Sequence, residues 1–285
     1  MQKILITGVN GFLAKNLLEF LKEKYFIIGL DVQGTAKFKD VNKYYQIDIT
    51  DSSKLSEIKE DIDFIIHLVA LTNPQIEKSL MYKVNVQGTQ NICEFAKLKK
   101  INKIIYLSTV SIYAENREKI ITEETPTAPI NYYGVTKLSA EEIIQKSGIT
   151  YTILRPTNIF GEDREDYKKY FERIKTRGKR FGIIFYRQRI THLVYVKDVC
   201  AVIKECLENS KQTNNEIFIV ADNENEFTEK KIFSELIRYF KLNKRLLPHP
   251  FFWSNTDNRI FSAAKLKKIY DFKYGVLQGI YNCLK

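Results

Sequence analysis

Along the first half of the chain, short apolar, β-branched runs alternate with longer stretches in which apolar residues recur every three or four positions. Lys3–Thr7 reads as a strand, and Phe12–Leu21 as a helix with Phe12, Leu13, Leu17, Leu18 and Leu21 at helical spacing. Phe26–Leu30 predicts a second strand and Tyr44–Ile49 a short third one. Asp63–Val69 is apolar almost throughout, the pattern of a strand buried on both faces. A long helix over Met81–Lys97, a strand at Lys103–Ser108, a helix from about Asn131 to Lys146 and strands at Tyr151–Arg155 and Glu216–Ala221 follow. Alternation of this kind with short connections implies an α/β fold with a parallel, doubly wound sheet and right-handed crossovers.

Beyond Pro156 the pattern loosens. Asp163–Thr176 reads as a polar helix and Val196–Glu208 as a return to the sheet. From Phe227 onward three short helical patterns are separated by Pro248, Pro250 and a polar turn at Ser254–Asn258. No repeat, low-complexity tract or linker interrupts the chain, so the second half is expected to form a small lobe folded onto the first.

Composition narrows the picture. With 44% hydrophobic and 28% charged residues among 285, a disordered chain is excluded. The net charge of +11 is carried by pairs scattered along the sequence, such as Lys99-Lys100, Lys230-Lys231 and Lys267-Lys268. Dispersed charge of this kind reads first as a solvated surface, next as a field for a phosphate-bearing ligand, and last as a nucleic-acid footprint. The four cysteines form no Cys-x-x-Cys pair and the three histidines lie far apart, which argues against a structural zinc or a disulfide framework. No apolar run reaches the roughly 18 residues of a membrane span. The expectation is a cytoplasmic protein with no nucleic-acid or membrane partner and no metal.

Candidate chemistry sits at two places. Gly8-Val9-Asn10-Gly11-Phe12-Leu13-Ala14 joins the first strand to the first helix, where a glycine turn lets backbone amides approach a pyrophosphate. Ala14 stands at the third glycine position, which requires only close helix–sheet packing. Asp31, twenty residues past Gly11 at the end of the second strand, is placed to bond adenosine ribose hydroxyls and to repel a 2′-phosphate. The turn and its context mark a Rossmann-type sheet that binds NAD, with NADP left open by Lys37 and Lys39; Asp48 and Ile49 follow the third strand, where they meet the adenine edge. At the second place, Tyr133 and Lys137 lie one helical turn apart. A neighbouring ammonium and a cationic nicotinamide ring both favour a phenolate, which makes Tyr133 an acid/base group for a sugar hydroxyl. Ser108 and Thr109 end the strand beside it, at the sheet edge where ligands of open α/β folds bind.

These segments, together with Ile66-His67-Leu68-Val69-Ala70, Asn85-Val86-Gln87-Gly88-Thr89, Leu154–Gly161 and Val194-Tyr195-Val196-x-Asp198-Val199, occur in the order of one family. The chain resembles the extended short-chain dehydrogenase/reductases, specifically the NAD-dependent epimerase/dehydratase family of nucleotide-sugar enzymes. The resemblance implies a Rossmann domain over 1–160 and a mainly substrate-binding lobe over 161–285, with segments near 192–222 returning to the sheet. It places the catalytic hydroxyl at Thr109, four residues before Tyr113, and completes the triad with Tyr133 and Lys137, the lysine also holding the nicotinamide ribose. It also implies that Val69, Ala70, Leu71 and Pro156 line the cofactor groove, that Asn158 contacts substrate phosphates, that Asn85 is structural, and that the protein is a homodimer.

The departures matter as much. Val110-Ser111 stand where 4,6-dehydratases of the family carry Asp-Glu after the threonine, so elimination of water is not expected. The usual Gly-rich turn and arginine before Val194 are missing; Thr191 takes the arginine's place, with Arg187 and Arg189 nearby as substitutes. Arg259 lies in the stretch that grips the nucleotide in relatives, and Phe251, Phe252 and Trp253 either stack on a base or pack the lobe's own core. The leading reading is an NAD-dependent epimerase of a nucleotide-activated sugar. A keto-sugar reductase using external NAD(P)H is the alternative, and a non-catalytic dinucleotide sensor ranks below both.

Overall fold

The computed structural model describes residues 1–180, 183–186, 190–222, 228–242, 245–248 and 258–285. The chain forms two compact units, one made of Met1–Asn116, Thr125–Pro156 and Cys200–Ile219, the other of Arg117–Glu124, Thr157–Val199 and Val220–Lys285.

The first unit is built on strands β1 (Gln2–Thr7), β2 (Tyr25–Asp31), β3 (Lys43–Gln46), β4 (Phe64–His67), β5 (Lys103–Leu107), β6 (Tyr151–Pro156) and β7 (Glu216–Val220). They form one seven-stranded sheet in the order β3-β2-β1-β4-β5-β6-β7. Neighbours from β3 through β6 run parallel, as buried apolar strands joined by helical crossovers require. The order reverses between β1 and β4, so a crevice opens beyond their carboxyl ends, beside Gly8 and Leu68. Helices α1 (Phe12–Leu21), α2 (Gly88–Leu98) and α3 (Tyr132–Lys146) cover the sheet. Ile92, Phe95, Ala96, Ala140 and Ile144 from α2 and α3 pack with Leu5, Ile28, Ile65 and Ile104 in one core cluster. Lys103, at the start of β5, is buried; its Nζ donates to the Cys206 carbonyl at 2.9 Å and to Thr213 Oγ1 at 2.7 Å. Burial pulls that amine down to about 8.

Two elements differ from the sequence reading. The expected helix over Met81–Lys97 begins earlier, as Lys78–Tyr82, and widens into a π turn at Lys83–Gln87 before α2. Hydrophobic spacing does not reveal such a turn, because a single five-residue turn is too short to show a period of its own. The apolar run Asp63–Val69 pairs only over Phe64–His67; beyond it the Leu68 and Val69 amides turn toward Thr7.

The second unit contains α4 (Glu165–Arg180), the start of α5 (Val196–Glu208), α6 (Glu229–Tyr239) and α7 (Gly275–Cys283). Three short parallel pairs accompany them: Asn158–Phe160 with Leu193–Tyr195, Ile183–Tyr186 with Arg245–Pro248, and Ile120–Ile121 with Ile260–Phe261. The sequence does not predict these strands, because two- to four-residue apolar runs carry no usable period. Val196–Glu208 is helix α5, and from Cys200 onward it belongs with the first unit. Buried Asp198 organises the second unit's C-terminal segment. Its carboxylate accepts from Tyr270 Oη at 3.1 Å and from the amides of Lys273, Tyr274 and Gly275 at 3.0, 3.1 and 2.8 Å. Among the described residues no helix is long and apolar enough to cross a membrane.

Candidate active site

The crevice between β1 and β4 is narrow because Gly8 has no side chain. Its φ is +71°, and a Cβ there would lie 3.2 Å from the Val69 amide nitrogen. The chain then enters α1 with Gly11 at the N-cap and no side chain capping the first turn. Phe12 and Leu13 thus begin a helix whose amino end is available to an anion. Asp31, buried at the end of β2, accepts from the Asn10 amide at 3.1 Å and from the Gln33 amide at 3.2 Å. Both carboxylate oxygens keep a lone pair for a ribose hydroxyl. The Asn10 side chain braces the following loop, donating to the Thr35 carbonyl at 3.0 Å and accepting from the Lys37 amide at 2.9 Å. Asp48 is exposed and accepts from the Thr50 amide at 2.9 Å, whereas Ile49 is buried against Gly88. Val69, Ala70 and Leu71 follow β4 half-buried, and Pro156 ends β6.

The groups for chemistry lie on the same side of the switch point, after β5 and at the start of α3. Asn131 caps α3 by accepting from the Gly134 amide at 2.7 Å, which fixes Tyr133 and Lys137 in its first two turns. Lys137 is 2% exposed. Its Nζ sits 4.0 Å from the centre of the Tyr106 ring, and among the described residues no group accepts a hydrogen bond from it. Burial lowers the amine to about 7, against a smaller upward pull from Glu141. Tyr133 Oη likewise has no hydrogen-bond partner among the described residues, and burial pushes it up to about 12. In the cofactor-free protein, then, desolvation outweighs the ammonium that was expected to favour the phenolate. Thr109 serves two ends at once. Its Oγ1 accepts from the Ser111 amide at 3.1 Å, capping the 3-10 turn Val110–Tyr113, and donates to Ser111 Oγ at 3.1 Å.

Behind these groups lies a buried cluster of Arg155, Glu141, Ser108 and Tyr113. Arg155 Nε contacts both oxygens of Glu141 at 3.1 and 3.2 Å, and Nη2 reaches Oε2 at 2.6 Å. Ser108 Oγ donates to the same carboxylate, and Arg155 Nη1 donates to Tyr113 Oη. One carboxylate thus ties together the ends that carry Thr109, Lys137 and Pro156. The available signals were Glu141 at i+4 from Lys137 and an arginine inside an apolar strand. Asn85 supplies a second brace. It accepts from the Leu71 amide at 2.8 Å and donates to the Leu71 carbonyl and to Thr136 Oγ1, both at 3.0 Å. Thr136 in turn donates to the Tyr133 carbonyl at 2.8 Å. His67, fully buried, bridges Thr7 at 2.7 Å and Thr89 at 3.0 Å, and burial holds it near 3, hence neutral.

The substrate residues are less gathered. Asn158 is exposed in the second unit, its amide donating to the His192 carbonyl at 2.9 Å. Arg259 is half-buried in the same unit, its guanidinium 5.8 Å from the Phe261 ring. Arg187, Arg189, Phe251, Phe252 and Trp253 lie outside the described residues.

The first unit therefore fits an adenine dinucleotide. It offers a side-chain-free turn at Gly8, a helix start whose N-cap Gly11 has no side-chain cap, Asp31 with lone pairs to spare, and a buried Lys137 amine from which no described residue accepts a hydrogen bond. Comparison with known proteins agrees. The chain is 29% identical over 214 residues to the N-acetyl-alpha-D-glucosaminyl-diphospho-ditrans,octacis-undecaprenol 4-epimerase of Escherichia coli O157:H7, covering 72% of this chain and 63% of that protein. It is 33% identical over 172 residues to the UDP-glucose 4-epimerase of Lactobacillus helveticus, covering 56% of this chain and 52% of that one. Its match to the GDP-6-deoxy-D-talose 4-dehydrogenase of Aggregatibacter actinomycetemcomitans is 32% over 170 residues, or 56% and 53% of the two chains. The matched region thus spans half to under two thirds of these relatives. Among solved structures, the UDP-Glc/GlcNAc 4-epimerase of Campylobacter jejuni shares the fold with a TM-score of 0.84 at 21% identity, over 100% of this chain and 98% of that one. The Bordetella bronchiseptica enzyme WbmG, solved with NAD, does so with 0.82 at 21%, over 99% and 92%. Residues 4–221 match the sequence profile of the NAD dependent epimerase/dehydratase family, and the chain belongs to that family.

Proposed function

We propose that this protein is an NAD-dependent enzyme that inverts a hydroxyl-bearing carbon of a nucleotide-activated sugar through a transient ketone. The single observation that carries the reading is the placement of Thr109, Tyr133 and Lys137 on two adjoining elements of the first unit, beyond the sheet edge where Gly8 meets Val69. NAD, when bound in the first unit, would supply reversible hydride acceptance at the sugar carbon. Tyr133 removes the hydroxyl proton as the carbonyl forms and restores it afterwards. Thr109 orients the reacting oxygen, and Lys137 holds the nicotinamide ribose while its charge favours the Tyr133 phenolate. Asp31 bonds the adenosine ribose and disfavours a 2′-phosphate, which supports NAD over NADP. Val110 and Ser111 supply no carboxyl group next to Thr109, which argues against dehydration even though dehydratases are among the relatives. The second unit carries 25 Lys and Arg against 16 Asp and Glu, a net +9 of the chain's +11, a field suited to a diphosphate-bearing substrate.

A reductase that uses external NAD(P)H is the second reading, favoured by the similarity to a 4-dehydrogenase. Mass spectrometry of the dinucleotide released on denaturation separates the two. An epimerase releases near-stoichiometric NAD and converts UDP-, GDP-, CDP- or dTDP-sugars with no added cofactor. Tyr133→Phe abolishes that conversion while NAD stays bound. An empty protein that instead oxidises NADH or NADPH with a keto-sugar nucleotide refutes the epimerase reading.

A further inference from the structure

The Lys137 ammonium lies where charge is least welcome. Its side chain is 2% exposed, and no carboxylate touches it. Titratable groups of α3, α2, β4 and β6 surround Lys137 and the ring beneath it. On α3 itself are Glu141, one turn on, and Tyr133, one turn back, whose phenol burial keeps neutral. Glu141 is matched by Arg155 of β6 through three contacts, so much of its field is cancelled. From β4 comes His67, which burial keeps neutral. On α2, burial pushes the Cys93 thiol up to about 12, so it carries no charge either. From β5 comes the face of Tyr106, with Nζ 4.0 Å above the ring centre.

Strand and helix are in register here. Tyr106 and Ser108 are two residues apart, a step of about 6.6 Å along a strand. Lys137 and Glu141 are four apart, a step of about 6 Å along a helix. The two elements therefore meet twice, Tyr106 beneath Lys137 and Ser108 bonded to Glu141. The ring is itself held. Tyr106 is fully buried and stacks on His67 with centroids 5.5 Å apart and planes 29° apart, and His67 is pinned through both nitrogens by Thr7 and Thr89. The Tyr106 hydroxyl is buried, and burial pushes it well above its usual range, so it stays neutral. What lies against Lys137 is the aromatic face.

We propose that Tyr106 is a positioning residue for Lys137: its buried π face holds the ammonium in place and in its charged form, in a site that offers it no directly bonded anion. Cation–π attraction of a desolvated ammonium is of the right size for this, equivalent to roughly a tenfold change in the protonation equilibrium. The role rests on the proposed function only for its catalytic consequence, because the charge state of Lys137 is measurable without substrate.

The test is an NMR titration of the lysine Cε resonances in 13C-lysine-labelled, cofactor-free protein, with Lys137 assigned by its absence in Lys137→Met. Tyr106→Phe keeps the π face and is expected to leave the Lys137 midpoint unchanged. Tyr106→Leu is expected to lower it by roughly one pH unit. Should the leucine variant fold poorly, Tyr106→Phe carrying ring fluorines keeps the shape while draining the face, and the midpoint should fall stepwise with each fluorine. In turnover, Tyr106→Leu should lower kcat roughly tenfold with KM unchanged, and Tyr106→Phe should restore it. An unchanged Lys137 midpoint in both the leucine and the fluorinated variants overturns the proposal. A wild-type protein without sugar-nucleotide turnover overturns the proposed function instead, and the titration still decides the role of Tyr106.

Discussion

Removing the arginine of the Arg155–Glu141 pair is the sharpest test of how this active site is held. The two side chains are 6% and 1% exposed, and three nitrogen–oxygen contacts join them. Arg155→Met keeps most of the aliphatic stem and deletes the charge, leaving the Glu141 carboxylate buried with only Ser108 as a side-chain donor. Breaking a buried pair by removing one partner costs about 3–5 kcal/mol, most of it the desolvation of the charge left behind. For a folding unit of this size, 1 kcal/mol corresponds to roughly 2–4 °C, so Tm should fall by about 10 °C. Glu141→Leu should cost a similar amount, because it strands the guanidinium. The double variant should sit within about 2 kcal/mol of the native protein, since no charge is then left unpaired and only the Ser108 and Tyr113 hydroxyls lose a partner. Urea unfolding followed by circular dichroism, run as a double-mutant cycle, gives all three numbers. A single substitution costing under about 1 kcal/mol, or a double variant as unstable as the sum of the singles, would refute the claim that this pair is a mutually dependent joint.

Three further outcomes follow from the same geometry. His67 is held near 3, well below its unfolded value of about 6.5, so the unfolded chain binds the extra proton between those values. Stability should be fully present above pH 6.5 and fall as the pH drops toward 3, by about 2 kcal/mol at pH 5, and His67→Asn should flatten that slope in pH-dependent urea midpoints. Gly8→Ala places a Cβ 3.2 Å from the Val69 amide at a φ of +71°, so it should destabilise by about 1–2 kcal/mol and weaken NAD binding in calorimetry, whereas Gly11→Ala should be milder. Asp31→Asn removes the charge that repels a 2′-phosphate, and it should narrow the NAD-over-NADP preference in fluorescence titrations; an unchanged ratio would remove Asp31 from cofactor selection.

The sheet was legible because β1, β2, β4, β5 and β6 are apolar runs separated by amphipathic helices, a pattern only a parallel sheet covered on both faces explains. The candidate site residues stand out for a different reason. Gly8, Asp31, Tyr133 and Lys137 are fixed by local spacing, glycine in a strand–helix turn and i,i+4 on a helix, and spacing is what a sequence displays. What stayed hidden depends on long-range partners. Nothing local tells that Arg155 meets Glu141, fourteen residues away, or that Ser108 is taken by that carboxylate while Thr109 bonds Ser111. The π turn at Asn85 is set by what its side chain bonds across the crevice, Leu71 and Thr136. The small strand pairs of the second unit were missed because each strand exists only through its partner. The basic residues, scattered in sequence, fall mainly in the second unit only once the chain path is known.

The resting charges of Lys137 and Tyr133 bear on the proposed acid/base role. With Lys137 near 7 and Tyr133 near 12, the ligand-free protein keeps the proton on the phenol, and the base is disarmed. Bringing that phenol to neutrality means moving it about five pH units, or roughly 7 kcal/mol of differential interaction. One ammonium at partial occupancy does not supply this, and the Tyr106 face and the Arg155-neutralised Glu141 can only keep that ammonium from discharging. The remainder has to come from a cationic ring and a reacting hydroxyl entering a site that is already dry. Burial therefore does two opposed things here: it raises the resting phenol, and it strengthens every charge that later acts on it. On the proposed function, such a base would form only when cofactor and substrate are both in place, so that the proton leaves the hydroxyl only as hydride is accepted.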